Sequence, residues 1–448
     1  MRRQQVWLIV IILLLVGIAG CSNQVSSGEA TPVPTHPPLS PDLPVPDTKV
    51  TLEVWLDLDF TRDNTLFREI ADEFERVYSQ TYQRELTINI QSFVGESIPE
   101  KVRQAIQSGT PPDIAQGHVY SLAWRGLAEP LNSEWQAWGP EAEAQFLPRA
   151  MDEVTWQNSR YGIPVDIYTM VLLYNRNHFD EAGLPYPSAD YTPQDLQEAI
   201  IRLTRPEEER YGIALSTDPR YVFTWIAGVG GELVTQDATG EYTVVLNSQN
   251  VVNVVSFLTG LTAEGYASLP TSRPRDYEDA RELFLAGKAS LYIGGPWDIH
   301  LIQSAYPDFP LGVAQLPRTP AAESAASVLG VSGLFVPRRA QHKEIAFELM
   351  KWFVDDRYST EMARRTGRYP AKVWLQTTPD FSENLLLRPF FNQLNAARPY
   401  RLDMFPRAEE AFTNAVKAAF YGVPAAEALD EAQRIYQTEP PPALLGLP

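Results

Sequence analysis

The chain has 448 residues, 44% of them hydrophobic and 21% charged, which is enough to bury more than one core and too apolar for a disordered protein. Its formal charge of −19 argues against a nucleic-acid partner, because phosphate binding needs a basic stripe and none is visible.

Residues 1–20 carry Arg2 and Arg3, an apolar run from Val6 to Val16, and then Gly17, Ala19 and Gly20 before Cys21. The run is too short to span a bilayer comfortably, and its flanks are those of a secretory signal. Ile18-Ala19-Gly20-Cys21 resembles the lipobox of bacterial lipoproteins, which implies acylation of Cys21 and a lipid anchor. No other cysteine exists, so an exported chain has no intrachain disulfide and packing alone must hold it. With the leader removed, 35 basic side chains face 56 acidic ones, a charge of −21. Residues 22–48 are rich in Ser, Gly and then Pro, including Pro32, Pro34, Pro37, Pro38, Pro41, Pro44 and Pro46. Such a stretch forms neither helix nor central strand, so it reads as a tether of roughly 3 Å per residue.

From residue 49 strands and helices alternate. Val50, Leu52, Val54 and Leu56 form a first strand, and Leu66, Phe67, Ile70, Phe74, Val77 and Tyr78 line one side of a helix over 65–79. A second strand follows at Leu86, Ile88 and Ile90, then a helix opened by Ser97-Ile98-Pro99-Glu100 and a short strand at Ile114. This order predicts a parallel sheet with helices on both faces, an α/β fold. Further strands are expected at Tyr168–Tyr174, Thr243–Leu246, Leu311–Ala314 and Gly333–Val336. Helices are expected at Thr192–Leu203, where Thr192-Pro193-Gln194-Asp195 caps the start, and over 249–264, 276–286 and 343–355.

The stretch Ala289–His300 carries the strongest site signal. An apolar strand with Leu291 and Ile293 stops at Gly294-Gly295-Pro296 and is followed at once by Trp297 and Asp298. That order presents an aromatic plate and an acceptor at the carboxyl end of a sheet, where α/β folds bind ligands.

The stretches Gly109–Ile114, Gly126–Leu131, Tyr161–Asp166 with Leu173–Arg176, Phe179–Pro185, Gly287–Ala289, Ile293–Asp298, Ser332–Pro337 and Gly367–Ala371 follow one another in a fixed order. Together they resemble the family 1 extracellular solute-binding proteins, the maltose-binding-protein-like receptors of ABC importers. The resemblance implies a periplasmic-binding-protein-like fold, two α/β lobes joined by three crossings near Pro164–Ile167, Ser327–Ser332 and Tyr369–Trp374. Lobe one would comprise 49–165 with 332–369, and lobe two 166–331 with 370–448. It implies a receptor that closes around a carbohydrate and presents it to permease subunits. The expected protein is an extracytoplasmic, membrane-anchored monomer that needs neither metal nor cofactor.

A sugar offers apolar C–H faces and a ring of hydroxyls, so its site needs aromatic plates with carboxylates or amides. Trp297 is the expected plate and Asp166 the acid at the first crossing. By position, Trp55, Asp57 and Asp59 after the first strand, Asp113, His118 and Tyr120 around the third, and Trp225 in the second lobe join them. Asp298 and Arg368 complete the set. Maltodextrin receptors have a lysine soon after the first strand, whereas here the nearby base is Arg62, which weakens the case for maltodextrin in particular. A polyamine would also suit aromatic and acidic groups through cation–π contact. The competing class is a tethered hydrolase using two carboxylates such as Asp59 and Asp166, but no Gly-x-Ser-x-Gly, His-Glu-x-x-His, Walker or Gly-x-Gly-x-x-Gly motif is present and the five histidines are scattered.

Overall fold

A computed structural model describes residues 36–41, 43–56, 64–93, 98–271, 273–318 and 326–438. The leader, Cys21 and most of the tether lie outside the described residues, as do Asp57, Asp59, Arg62 and Ser97. The chain divides into two units, residues 1–38 and 39–448, and all that follows concerns the second.

Two sheets organise it. In the first, Val50–Leu56 pairs in parallel with Leu86–Ser92 on one side and Ile114–Gly117 on the other. Val328–Phe335 then returns antiparallel beside Ile114–Gly117 and also pairs with Gly162–Thr169, and Arg398–Pro399 adds a short edge. The second sheet has the order Leu311–Ala314, Val171–Asn175, Ala289–Gly294, Tyr211–Ala214. Parallel pairing therefore covers the alternating strand–helix part of each sheet; Val328–Phe335 enters the first sheet antiparallel to Ile114–Gly117 and Val171–Asn175 the second antiparallel to Ala289–Gly294, while Arg398–Pro399 pairs parallel. The first strand reads as the alternation predicts: Val50, Leu52, Val54 and Leu56 are buried, while Thr51 is exposed.

The strand expected at Tyr168–Tyr174 is two strands, Gly162–Thr169 and Val171–Asn175, and each belongs to a different sheet. An unbroken apolar run carries no mark of where its hydrogen-bond partners change. The change falls at Met170, whose backbone N–H donates to the Ser327 hydroxyl (3.3 Å) while that hydroxyl donates to the Met170 carbonyl (3.0 Å). A third segment runs alongside: Ile167 donates to the Tyr369 carbonyl (2.9 Å) and Ala371 to that of Val165 (3.1 Å).

Helices follow the expected spacing where the apolar stripe is clear. Asn64–Tyr82 turns Phe67, Ile70, Phe74 and Tyr78 inward, and Thr192 and Asp195 form a reciprocal capping box before Pro193–Leu203. The helix Pro296–Ala305, starting directly after the glycine break, has no counterpart in the sequence reading, because Pro296 reads equally as a loop residue or a first helical residue.

The proline-rich stretch does not run free to residue 48. Leu43 is buried in the hydrophobic core, and Leu39 and Val45 are partly buried against it. Ser40 is held on three sides: its hydroxyl donates to Glu348 (2.7 Å), its N–H donates to the same carboxylate (3.2 Å), and its carbonyl accepts from the Tyr82 hydroxyl (2.9 Å). Glu348 is itself buried and paired with Lys351 at 2.8 Å. Glu348→Ala should therefore lower stability by about 1–3 kcal/mol, the usual cost of stranding buried polar partners, and should speed protease cleavage within residues 39–48. Urea unfolding and timed proteolysis check this, and unchanged cleavage would mean that Glu348 does not hold the segment.

Candidate functional site

The carboxyl ends of the parallel strands in both sheets converge on one cleft. Trp55 lies one residue before the end of the first strand and His118 follows the third. From the second sheet, Tyr211–Ala214 leads to Asp218 and Arg220, and Ala289–Gly294 leads to Trp297. Between the sheets lie the paired crossing strands that carry Asp166 and Tyr168.

Trp297 stands where two glycines allow it. A Cβ on Gly295 would come within 2.5 Å of its indole, so the ring folds back over its own turn. Asp298 makes that turn rigid: its buried carboxylate accepts from the Gly295 N–H (3.0 Å) and pairs with Arg281 (3.2 Å). Burial raises Asp298 to about 6, against the pull of Arg281. Tyr168 meets Trp297 edge to face at 5.2 Å. Its own ring lies on Gly330, directly across the strand pair, where a Cβ would come within 1.9 Å. Larger residues at Gly295 or Gly330 would displace the aromatic pair.

Asp166 is buried on the same strand. One oxygen pairs with Arg368 at 3.1 Å, and the other, Oδ1, has no hydrogen-bond partner among the described residues. Burial raises its carboxyl above the ordinary range, and Arg368 opposes the shift. Arg220, in the first turn of the helix Pro219–Gly228, points its guanidinium at Asp403 (3.3 Å) and Glu409 (3.6 Å) and lies 4.7 Å from the Tyr400 ring, and its buried Nε has no partner among the described residues. Burial raises Asp403 to about 7, Arg220 pulls it down and Glu409 pushes it up. His118 is half-buried close to Arg220 and Arg401, and burial with those two cations depresses it to about 3, so its imidazole is neutral at physiological pH.

Contacts also join opposite walls. The hydroxyls of Tyr120 and Tyr242 lie 2.5 Å apart, and Arg401 covers the Tyr120 ring at 3.8 Å while making two bonds to Glu153 of 2.6 and 2.7 Å. The Ser121 hydroxyl donates to the Asp403 carbonyl at 2.9 Å. Among the described residues no group of His, Cys, Asp and Glu is arranged to hold a metal.

Of the residues expected from sequence, the structure thus gathers Trp297, Asp166, Arg368, His118 and Tyr120. Trp55 stays at its strand end, edge to face with Phe93 at 5.1 Å, and its buried indole N–H has no partner among the described residues. Asp298 supports the turn beneath Trp297, as above. Asp113 is not in the cleft: it sits at the amino end of its strand and accepts from the N–H groups of Glu53 (3.0 Å) and His342 (3.3 Å). Trp225 lies in a separate groove, tilted against Phe257 at 6.2 Å. Asp57 and Asp59 fall outside the described residues.

Tyr168, Arg220, Tyr242, Tyr400, Arg401, Asp403 and Glu409 escaped the sequence reading, as did Glu153. One signal was available, because a base in the first helical turn opposes the helix dipole and Arg220 occupies that place. The Tyr400–Asp403 segment has no periodicity to read.

The sequence profile of the bacterial extracellular solute-binding proteins matches residues 69–389. The chain belongs to that family. A maltodextrin-binding protein of Bacillus subtilis (strain 168) is 24% identical over 288 residues, 63% of this chain and 66% of that one. A galactooligosaccharide-binding protein of the same organism is 22% identical over 326 residues, covering 71% and 74%. The structure of an ABC transporter solute-binding protein from Thermotoga lettingae, bound with α-D-tagatose, superposes with a TM-score of 0.73 at 23% identity, covering 88% of this chain and all of that one. Two α/β lobes around a ligand cleft is therefore the architecture of this family member.

Asp403 makes a prediction about pH. Its folded pKa, about 7, lies above that of an unfolded aspartate, so the folded state holds the extra proton between about pH 4 and 7. The stability linked to that proton is full below the unfolded pKa and is lost as pH rises through the folded one. In Asp403→Asn, Tm should fall less between about pH 5 and 8 than in wild type; equal falls would show that another group titrates there.

Proposed function

We propose that this solute-binding protein is a receptor for a neutral sugar or oligosaccharide, held between the lobes and handed to an ABC import permease after hinge closure. The observation that carries the reading is a set of buried polar atoms without partners beside an aromatic pair. Among the described residues Oδ1 of Asp166 has no donor and Nε of Arg220 no acceptor, while Trp297 and Tyr168 meet at 5.2 Å. Each unmet buried group costs on the order of 1–3 kcal/mol. A hydroxyl both donates and accepts, so a sugar ring satisfies both kinds of atom while its C–H face rests on the indole. The sugars in the names of the relatives support the same class. The protein binds without turnover, releasing what it captured.

Closure would bend the three adjacent crossing segments around Met170, Ser327 and Tyr369, and the Tyr120–Tyr242 and Arg401–Glu153 contacts would hold the closed form. We further propose that Cys21 anchors the chain and that the segment up to Pro38 spaces the body from the membrane.

A thermal-shift screen over mono- and oligosaccharides, with product analysis, tests the ligand class. A Tm rise with unchanged sugar supports the receptor, and a chemically altered sugar or no response to any sugar would overturn it. Trp297→Ala should weaken binding at least tenfold, the equivalent of about 1.4 kcal/mol, with little change in the Tm of the free protein. A large fall in Tm with normal affinity would make Trp297 a core residue instead. Cys21→Ala should move the protein from the membrane fraction to the soluble one, and continued membrane association would remove the anchor.

A further inference from the structure

Trp225 lines a groove that shares no residue with the cleft cluster. Arg220 and Trp225 share one helix but stand five residues apart, about 140° around its axis, so the helix that sends Arg220 into the cleft turns Trp225 to a different face. There the helices Pro193–Leu203, Pro219–Gly228 and Gln249–Ala263 enclose a groove of about 290 Å³. Trp225 and Phe257 supply its aromatic surface. Four exposed side-chain amides, Gln194, Gln197, Asn250 and Asn253, rim a largely apolar lining. Asn253 is braced by Gln249, whose amide donates to its oxygen at 2.8 Å.

The chemistry of this lining is selective. Among the described residues no charged side chain lines the groove, in a protein where 21% of residues are charged. An anion or cation would find no counter-charge there, and leaving its hydration would go uncompensated. A purely apolar ligand would leave the exposed amides at the rim without a role. A ring with one C–H face and several hydroxyls suits both surfaces, with the indole against the face and amides donating to and accepting from hydroxyls. The volume is near the lower end for small-molecule sites, about 300 Å³, which fits one sugar ring rather than a chain.

We propose that this groove is a second carbohydrate site, taking a single neutral sugar ring independently of the cleft. It shares no residue with the cleft cluster of Trp297, Asp166 and Arg220, so either site stands if the other fails.

The experiment titrates glucose, galactose and N-acetylglucosamine into the full chain, wild type and variants, with saturation-transfer NMR and calorimetry as readouts. Trp297→Ala protein should keep a weak site for at least one of the three. Adding Trp225→Ala to it should weaken that residual binding at least tenfold. Because Trp225→Ala removes a large packed ring, Gln197→Glu and Asn250→Asp provide size-matched variants that bring charge to the groove, and they should weaken the same site while circular dichroism stays unchanged. Residual binding indifferent to all three groove changes would overturn the proposal, as would no residual binding of any probe. Binding of anilinonaphthalene sulfonate that Trp225→Ala abolishes, without sugar binding, would overturn it in favour of an apolar protein segment. Failure of the cleft reading looks different: Trp297→Ala would then leave wild-type titrations unchanged.

Discussion

The structure depends on one hydroxyl. Ser327 is fully buried where both crossing strands leave the first sheet, and its oxygen both accepts from and donates to the Met170 backbone. Met170 is the residue at which one strand ends and the next begins in a different sheet, so its peptide groups fall outside both regular ladders there. A buried backbone group in that position needs a partner, and a serine hydroxyl is the smallest side chain able to serve both polarities. With that junction held, the register Gly330 to Tyr168 and Ser332 to Asp166 is fixed, and the aromatic ring and the acid arrive at the cleft together.

The same register explains which parts of the site could be read from sequence. Trp297 was legible because its cause is local: a strand that cannot continue through Gly294-Gly295-Pro296 must put the next side chain at a sheet end. Asp166 was found through resemblance, and its burial and its ion pair with Arg368 come from segments about two hundred residues apart. Tyr168 was read as the start of a strand, since nothing in its neighbours shows that Gly330 lies beneath it. Arg401, Asp403 and Glu409 come from a non-periodic segment and the helix after it, and they reach the cleft only through the packing of the chain's last helices. Asp113, which reads equally as a strand-end acceptor or a ligand contact, takes the first role. Pro-Pro-Asp before a strand was correctly a strand boundary, but the amino end is the wrong end for a ligand contact.

The fold was legible in proportion to its repetition. Strand and helix alternate through the first lobe with clear periods of two and 3.6, and the elements there match expectation within a few residues. The short strands Tyr211–Ala214 and Val234–Gln236 leave too few residues for a period to register.

Charge in the cleft bears on the ligand more than any single side chain does. Clustered arginines would mark a site for an acidic solute. The structure does assemble Arg220, Arg368 and Arg401, but each comes with acids: Asp403 and Glu409 for the first, Asp166 for the second and Glu153 for the third. With Asp403 holding its proton up to about pH 7, the three guanidiniums face three other carboxylates, Glu409, Asp166 and Glu153, so the group as a whole offers an anion no net attraction. Pairing also fixes each guanidinium in place, which turns a mobile charge into an oriented set of N–H donors. Fixed donors and acceptors of nearly balanced charge, set beside an aromatic pair, discriminate by the geometry of hydroxyls rather than by charge. A neutral polyhydroxyl ligand exchanges its hydrogen bonds to water for bonds to these fixed groups, whereas an ion would have to displace one half of an existing pair and leave the other half buried alone.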